Sequence, residues 1–226
     1  MTTLHVKQIK FMKNKILIFC MLSLFLAACS KPASEEIGFG HFEGNRYFNE
    51  YFGFQIDFPK AWSIQDQQAT DSISELGGDI LAGENKKMKS ALRAAELQTV
   101  NLFAVFKFMP GSPVDSNPSI LCAAEKLKFA PGIKRGSDYL FHVKKLMSSG
   151  SVAYNFPKEF YTENLDGNDF DVLEAEMDLG VVKVKQLYYA SIVKGYALGI
   201  ILSYTTEAEK SELLDVIKTM EFSQRN

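Results

Sequence analysis

Cysteine, histidine and tryptophan are scarce in this chain of 226 residues, which holds three, three and one of them. Cys20 and Cys29 stand in the first 29 residues and only Cys122 lies further on, so the body of the chain has no internal disulfide and no cysteine cluster for a metal. There is no His-Glu-x-x-His, Gly-x-Ser-x-Gly, P-loop or Cys-x-x-Cys pattern, and the histidines beyond the leader are His41 and His142. These absences leave no catalytic residue to assign, so the expectation is a protein that is not an enzyme and needs no cofactor and no metal. A long apolar run is missing too. The 13 residues from Ile16 to Ala28 span only about 20 Å as a helix, short of the roughly 30 Å of a bilayer core. A basic excess is also lacking: without the leader's four lysines, 21 basic residues face 27 acidic ones, a net charge of −6 that disfavours nucleic acid as a partner.

What stands at the start of the chain is more specific. Lys7, Lys10, Lys13 and Lys15, with no acidic residue among them, precede the apolar run, and small residues close it. That is the layout of a secretory signal peptide over residues 1–28, with Met12 offering a more compact start than Met1. The closing Leu26-Ala27-Ala28-Cys29 resembles the lipobox of bacterial lipoproteins. The resemblance implies that Cys29 receives a diacylglyceryl thioether, becomes the first residue after cleavage and is N-acylated. Two or three acyl chains anchor a protein stably where one does not, at about 0.8 kcal/mol per buried methylene. Ser30 follows where an Asp would imply inner-membrane retention, so the analogy points to the periplasmic face of an outer membrane. Ordinary cleavage that leaves Cys29 a plain cysteine is the alternative.

Residues 29–44 mix glycine, Pro32, Ser34, Glu35 and Glu36 and read as a lipidated N-terminus with a tether; residues 45–226 read as one domain. Phe54, Ile56 and Phe58 alternate with Gln55 and Asp57 in a strand that Pro59 ends, and Trp62 folds back onto the core. Helical spacing of Ile73, Leu76 and Ile80, then of Met88, Ala91, Leu92 and Ala95, predicts two helices within 71–96, broken by Gly77-Gly78 and Gly83. Val100 to Phe108 is a strand with apolar residues on both faces. Asn117-Pro118 predicts a helix start running through Ile120, Leu121, Ala124 and Leu127, with Cys122 one position off the stripe as a packing residue. A further helix from about Ser137 presents Tyr139, Leu140, Val143, Leu146 and Met147 on one face.

From Ala153 to Tyr204 five strand segments alternate with short turns, and the last four form an antiparallel meander. Along the final strand Ala197, Gly199, Ile201 and Ser203 share a face whose small residues would let a helix pack close. Thr206 and Glu209 form a capping box for the closing helix, whose Leu213, Leu214, Ile217 and Met220 make a stripe. The fold class is therefore α+β, a three-layer α/β/α sandwich around a mostly antiparallel sheet.

Three further groups invite chemistry. Asp166, Asp169 and Asp171 surround a Gly-Asn turn, but their spacing is not that of a calcium loop and turn chemistry explains them. Glu174 and Glu176 share a strand face, which reads as a solvated side rather than an acid–base pair. Gly38 to Gly44 has the glycines of a phosphate loop without the preceding strand.

The stretch Tyr51-Phe52-Gly53-Phe54-Gln55-Ile56-Asp57-Phe58-Pro59-Lys60-Ala61-Trp62 is similar to the opening of the PsbP-like superfamily. So are Gln186-Leu187-Tyr188-Tyr189, the strand after Lys194-Gly195, and a helix ending at Met220-Glu221-Phe222. The resemblance implies an α/β/α sandwich and an accessory or binding role, as in photosystem II extrinsic subunits, a Ran-binding protein and envelope lipoproteins. The expectation is a membrane-anchored envelope lipoprotein that binds a protein partner, with the membrane engaged through lipidated Cys29. The alternative is a carrier that holds a small apolar or aromatic ligand between sheet and helices.

Overall fold

A computed structural model of the chain describes residues 38–223. The expected signal peptide, the motif Leu26-Ala27-Ala28-Cys29 and the expected tether before Gly38 lie outside the described residues.

Two sheets and four helices make up the domain. Strands β1 (His41–Glu43), β2 (Arg46–Asn49) and β3 (Phe54–Asp57) form a small sheet completed by the last strand, β12 (Glu221–Phe222), in the order β1-β2-β3-β12. The large sheet has the order β4 (Ser63–Ile64), β5 (Thr99–Phe106), β6 (Ser119–Lys126), β11 (Tyr196–Tyr204), β10 (Lys183–Val193), β9 (Asn168–Asp178), β7 (Ala153–Asn155). Strand β8 (Tyr161–Leu165) also pairs with β9. Every pairing is antiparallel. The helices are α1 (Gln67–Ala82), α2 (Lys86–Glu96), α3 (Gly136–Ser148) and α4 (Glu207–Ile217).

The α+β class with mostly antiparallel sheets is as expected, and its layers have one addition. Helices α1 and α3 cover one face of the large sheet, while α4 and the small sheet share the other. On that second face Phe54, Ile56, Phe58, Trp62, Leu198, Ile200, Leu202, Leu213 and Ile217 join one buried cluster. Phe103 of β5 fastens the small sheet to it, meeting Tyr47 at 4.7 Å between ring centroids and Phe58 at 5.4 Å.

Several local expectations are corrected. His41–Glu43 pairs with β2, so the tether assigned to 29–44 gives way to the sheet by His41. Helix α1 runs through Gly77-Gly78 and stops at Gly83; Leu76 and Ile80 stay 61% and 44% exposed instead of facing the core. The helix expected from Asn117 is strand β6: Asn117 donates to the Phe108 carbonyl and accepts from the Phe108 N–H, closing a loop rather than capping a helix. Its apolar residues fell at helical spacing because β6 lies between β5 and β11 and is apolar on both faces. Helix α4 ends at Ile217, and Glu221-Phe222 leaves it to pair with β3.

The meander and the turns match the sequence. At the β8–β9 and β10–β11 hairpins Asp166-Gly167 and Lys194-Gly195 all have positive φ, as a tight primed turn requires. The capping box on α4 is present: Glu209 accepts from the Thr205 and Thr206 N–H groups and from Ser116, and Thr206 accepts from the Glu209 N–H. Burial opposes ionisation of Glu209, but these donors outweigh it and hold its pKa down to about 2.

Candidate functional site

Helix α1 lies over β5 and helix α3 over β9 and β10, which leaves the two strands between, β6 and β11, without a helix above them. Behind α3 the chain turns back to α1, where Ser151 donates from its N–H to the Leu81 carbonyl and from its hydroxyl to the Ala82 carbonyl, both at 2.8 Å. In the gap between the helices is a cavity of about 180 Å³. The floor follows from strand register: Gly199 of β11 faces Ala123 of β6 on one side and Ala190 of β10 on the other, a row of small side chains. A parallel row, Tyr188, Ile201 and Leu121, borders it. Small residues on this face of β11 were expected to admit a close helix; they underlie a void instead.

Apolar surface predominates in the cavity, whose lining also includes the polar side chains of Thr70, Ser74, Thr99, Asn101 and Glu125. Thr70 of α1 is 3% exposed, and its hydroxyl is the one buried side-chain polar atom among the described residues with no hydrogen-bond partner. A buried hydroxyl left unpaired costs about 1–3 kcal/mol. Glu125 of β6 is the only acidic or basic residue lining the space. Tyr139 of α3 donates to its carboxylate at 2.8 Å. Burial first, then the Glu125 charge, push the Tyr139 phenol well up, so it remains a donor. Among the described residues Glu125 is half-buried and takes part in no ion pair. Sequence reasoning missed Thr70 and Glu125. The first sits outside the expected apolar stripe and the second lay in what read as a helix.

A second cluster lies on the other face, at the edge of β9. Glu174, expected on a solvated side, is buried there and accepts from Lys158 and Tyr161, each at 2.9 Å, with Lys210 at 3.8 Å. Burial alone would raise its pKa; the bonds from Lys158 and Tyr161 and the charge of Lys210 outweigh that and keep it below the usual carboxylate range. Every partner in this group is matched, which marks a structural network rather than a site awaiting a ligand.

The other residues singled out in the sequence do not converge. Asp166 accepts from the Phe222 N–H, Asp169 from Asn164 and Asp171 from the Ser137 N–H and Thr162, so each is engaged separately. Asp171 thereby pins the first turn of α3 to β9. Cys122 faces the core cluster, and burial pushes its thiol up, keeping it protonated and unreactive. Tyr188 and Tyr189 point to opposite faces as expected, Tyr188 packing with the α3 cluster and Tyr189 with the larger one.

No family model and no curated protein matches the sequence. Among solved structures, the chain is similar to the cyanobacterial PsbP (CyanoP) of Synechocystis at 16% identity and a TM-score of 0.46, covering 88% of this chain and 99% of that one. It is similar to LpqN of Mycobacterium tuberculosis, described as involved in cell envelope biogenesis, at 11% identity and a TM-score of 0.39, over 75% and 83% of the two chains. The immunity protein TplEi of the type VI secretion system of Pseudomonas aeruginosa, solved with a peptide, matches at 9% identity and a TM-score of 0.38, over 76% and 96%. Among the described residues no helix is long and apolar enough to cross a membrane.

Proposed function

We propose that this chain is a non-catalytic binding lipoprotein of a bacterial envelope, whose domain holds a small molecule in the space between α1, α3 and the large sheet. The observation that carries the reading is the cavity over β6 and β11, whose surface is mostly apolar with polar side chains set into it, as ligand sites are. It is smaller than the roughly 300–1,000 Å³ of drug-sized pockets. An apolar cavity of about 150 Å³ takes up benzene, so the fit is to a single ring.

Gly199→Val tests it. A Cβ at Gly199 would meet the Ala123 and Tyr189 carbonyl oxygens at 3.8 and 3.9 Å, ordinary contact, so the backbone there admits a side chain that rises from the floor. Toluene at about ten times its Kd should raise the wild-type Tm by roughly 3–6 °C. The Gly199→Val protein should show no such rise. An equal rise in both, or none in the wild type, rules the site out.

The anchor is read from Leu26-Ala27-Ala28-Cys29, and it confines that binding to a membrane surface. A second reading, an accessory module for a protein partner, is favoured by five exposed apolar side chains at one end of the large sheet. These are Phe108, Met109 and Val114 in the β5–β6 loop and Leu179 and Val181 in the β9–β10 turn. One cell experiment addresses both: with Cys29→Ser, the mature mass loses its lipid increment and the chain leaves the membrane fraction. Cross-linking in intact cells then asks whether a partner captured by the wild type disappears with the anchor. Unchanged mass and fractionation would remove the anchor from the proposal.

A further inference from the structure

We infer that the cavity takes a compact primary amine, with its ring or branched apolar end over Ala123 and Gly199 and its ammonium at Glu125. This rests on the ligand-holding reading above and adds the chemical class. Volume sets the size: about 180 Å³ exceeds the roughly 150 Å³ that admits benzene by enough for one or two further heavy atoms. Charge sets the head group. Among the described residues Glu125 is the only acidic or basic one lining the space, Tyr139 supplies one hydrogen bond at 2.8 Å, and no cation forms an ion pair with it. A carboxylate ligand would meet that charge with its own, and a hydrocarbon would leave it unmatched.

Exposure sets the depth. Glu125 is half-buried, so an ammonium beside it keeps part of its hydration, whereas one driven deeper would lose all of it. The Tyr139 and Tyr188 rings flank the space and suit a cation next to an apolar body. Thr70 of α1 lines the same space, with its hydroxyl buried and unpartnered.

Toluene, benzylamine and benzoate share one ring and differ in charge, so calorimetric titration of the purified full chain with each separates shape from charge. Benzylamine and toluene are expected to bind and benzoate to fail. Glu125→Gln keeps an acceptor for Tyr139 and removes the charge. It should weaken benzylamine about tenfold, the lower end for a charge-assisted hydrogen bond, and change toluene by less than about twofold. Retained toluene binding shows that the variant's cavity is intact. If no probe binds the wild type, the ligand-holding reading falls and this inference with it. If toluene binds but benzoate matches benzylamine, or Glu125→Gln leaves benzylamine untouched, the amine is wrong while the ligand-holding reading stands.

Discussion

Phe103→Ala is expected to destabilise the domain by about 3–5 kcal/mol, a large share of the 5–15 kcal/mol that separates a typical domain from its unfolded chain. Phe103 is fully buried on β5 and its ring touches Tyr47, Phe58 and Phe42, residues of the small sheet and its margin. Three edge contacts are lost at once, and the space cannot refill from the large sheet, where the neighbouring Val105 is held in the β5–β6 ladder. The loss combines a transfer penalty with a cavity penalty, and the three edge contacts place it toward the upper end of that range. Urea unfolding measures it through the midpoint. A shift worth less than about 1 kcal/mol would mean that the small sheet is not fastened through this ring.

Gly136→Ala should act in the direction opposite to the usual one. At an ordinary helical position replacing glycine with alanine stabilises by about 0.4–1 kcal/mol, because the unfolded chain loses freedom. Gly136 opens α3 directly against β10, and a Cβ there would overlap the Ala190 carbonyl, which is backbone and cannot swing aside. The helix must lift from the sheet, and with it Asp171's bond to the Ser137 N–H and the packing of Leu140 on Leu173 and Ala190. Overpacking of this kind costs about 1–3 kcal/mol, occasionally more. It should also move Tyr139 and Val143, which line the cavity, so toluene affinity falls together with the unfolding midpoint. A midpoint that rises in Gly136→Ala would contradict the close seat of α3 on the sheet.

How far the sequence could be read depended on whether a signal was local. The closing meander, with turns at Asp166-Gly167 and Lys194-Gly195, and the Thr206–Glu209 box are each written within a few residues, and the structure has them. Strand β6 was misread because alternation disappears when a strand is buried on both faces: Ile120, Leu121 and Ala124 then fit a helix as well as a strand. Strand β12 was invisible, since two residues carry no periodicity and their partner, β3, lies some 166 residues earlier. The burial of Glu174 follows from where Lys158, Tyr161 and Lys210 arrive, which its own strand does not encode.

The cavity was half legible. Ala197, Gly199, Ile201 and Ser203 could be seen as a face of mostly small side chains, but whether a helix or a void covers them is decided by how far apart α1 and α3 sit on the sheet. That spacing depends on tertiary seats such as Gly136 against Ala190 and Ser151 against Leu81. Leu26-Ala27-Ala28-Cys29, which resembles a lipobox, is the reverse case: explicit in the sequence and outside the described residues.

The small sheet has a consequence for how the chain closes on itself. Its first three strands come from the start of the described residues and its fourth from near their end, so the sheet stays unfinished until the two come together. Until Phe222 follows, the rings of Phe54 and Phe170 lack the side chain that closes over them. Glu221 and Phe222 are thus the residues that shut the small sheet, joining two stretches of the chain that lie far apart in sequence.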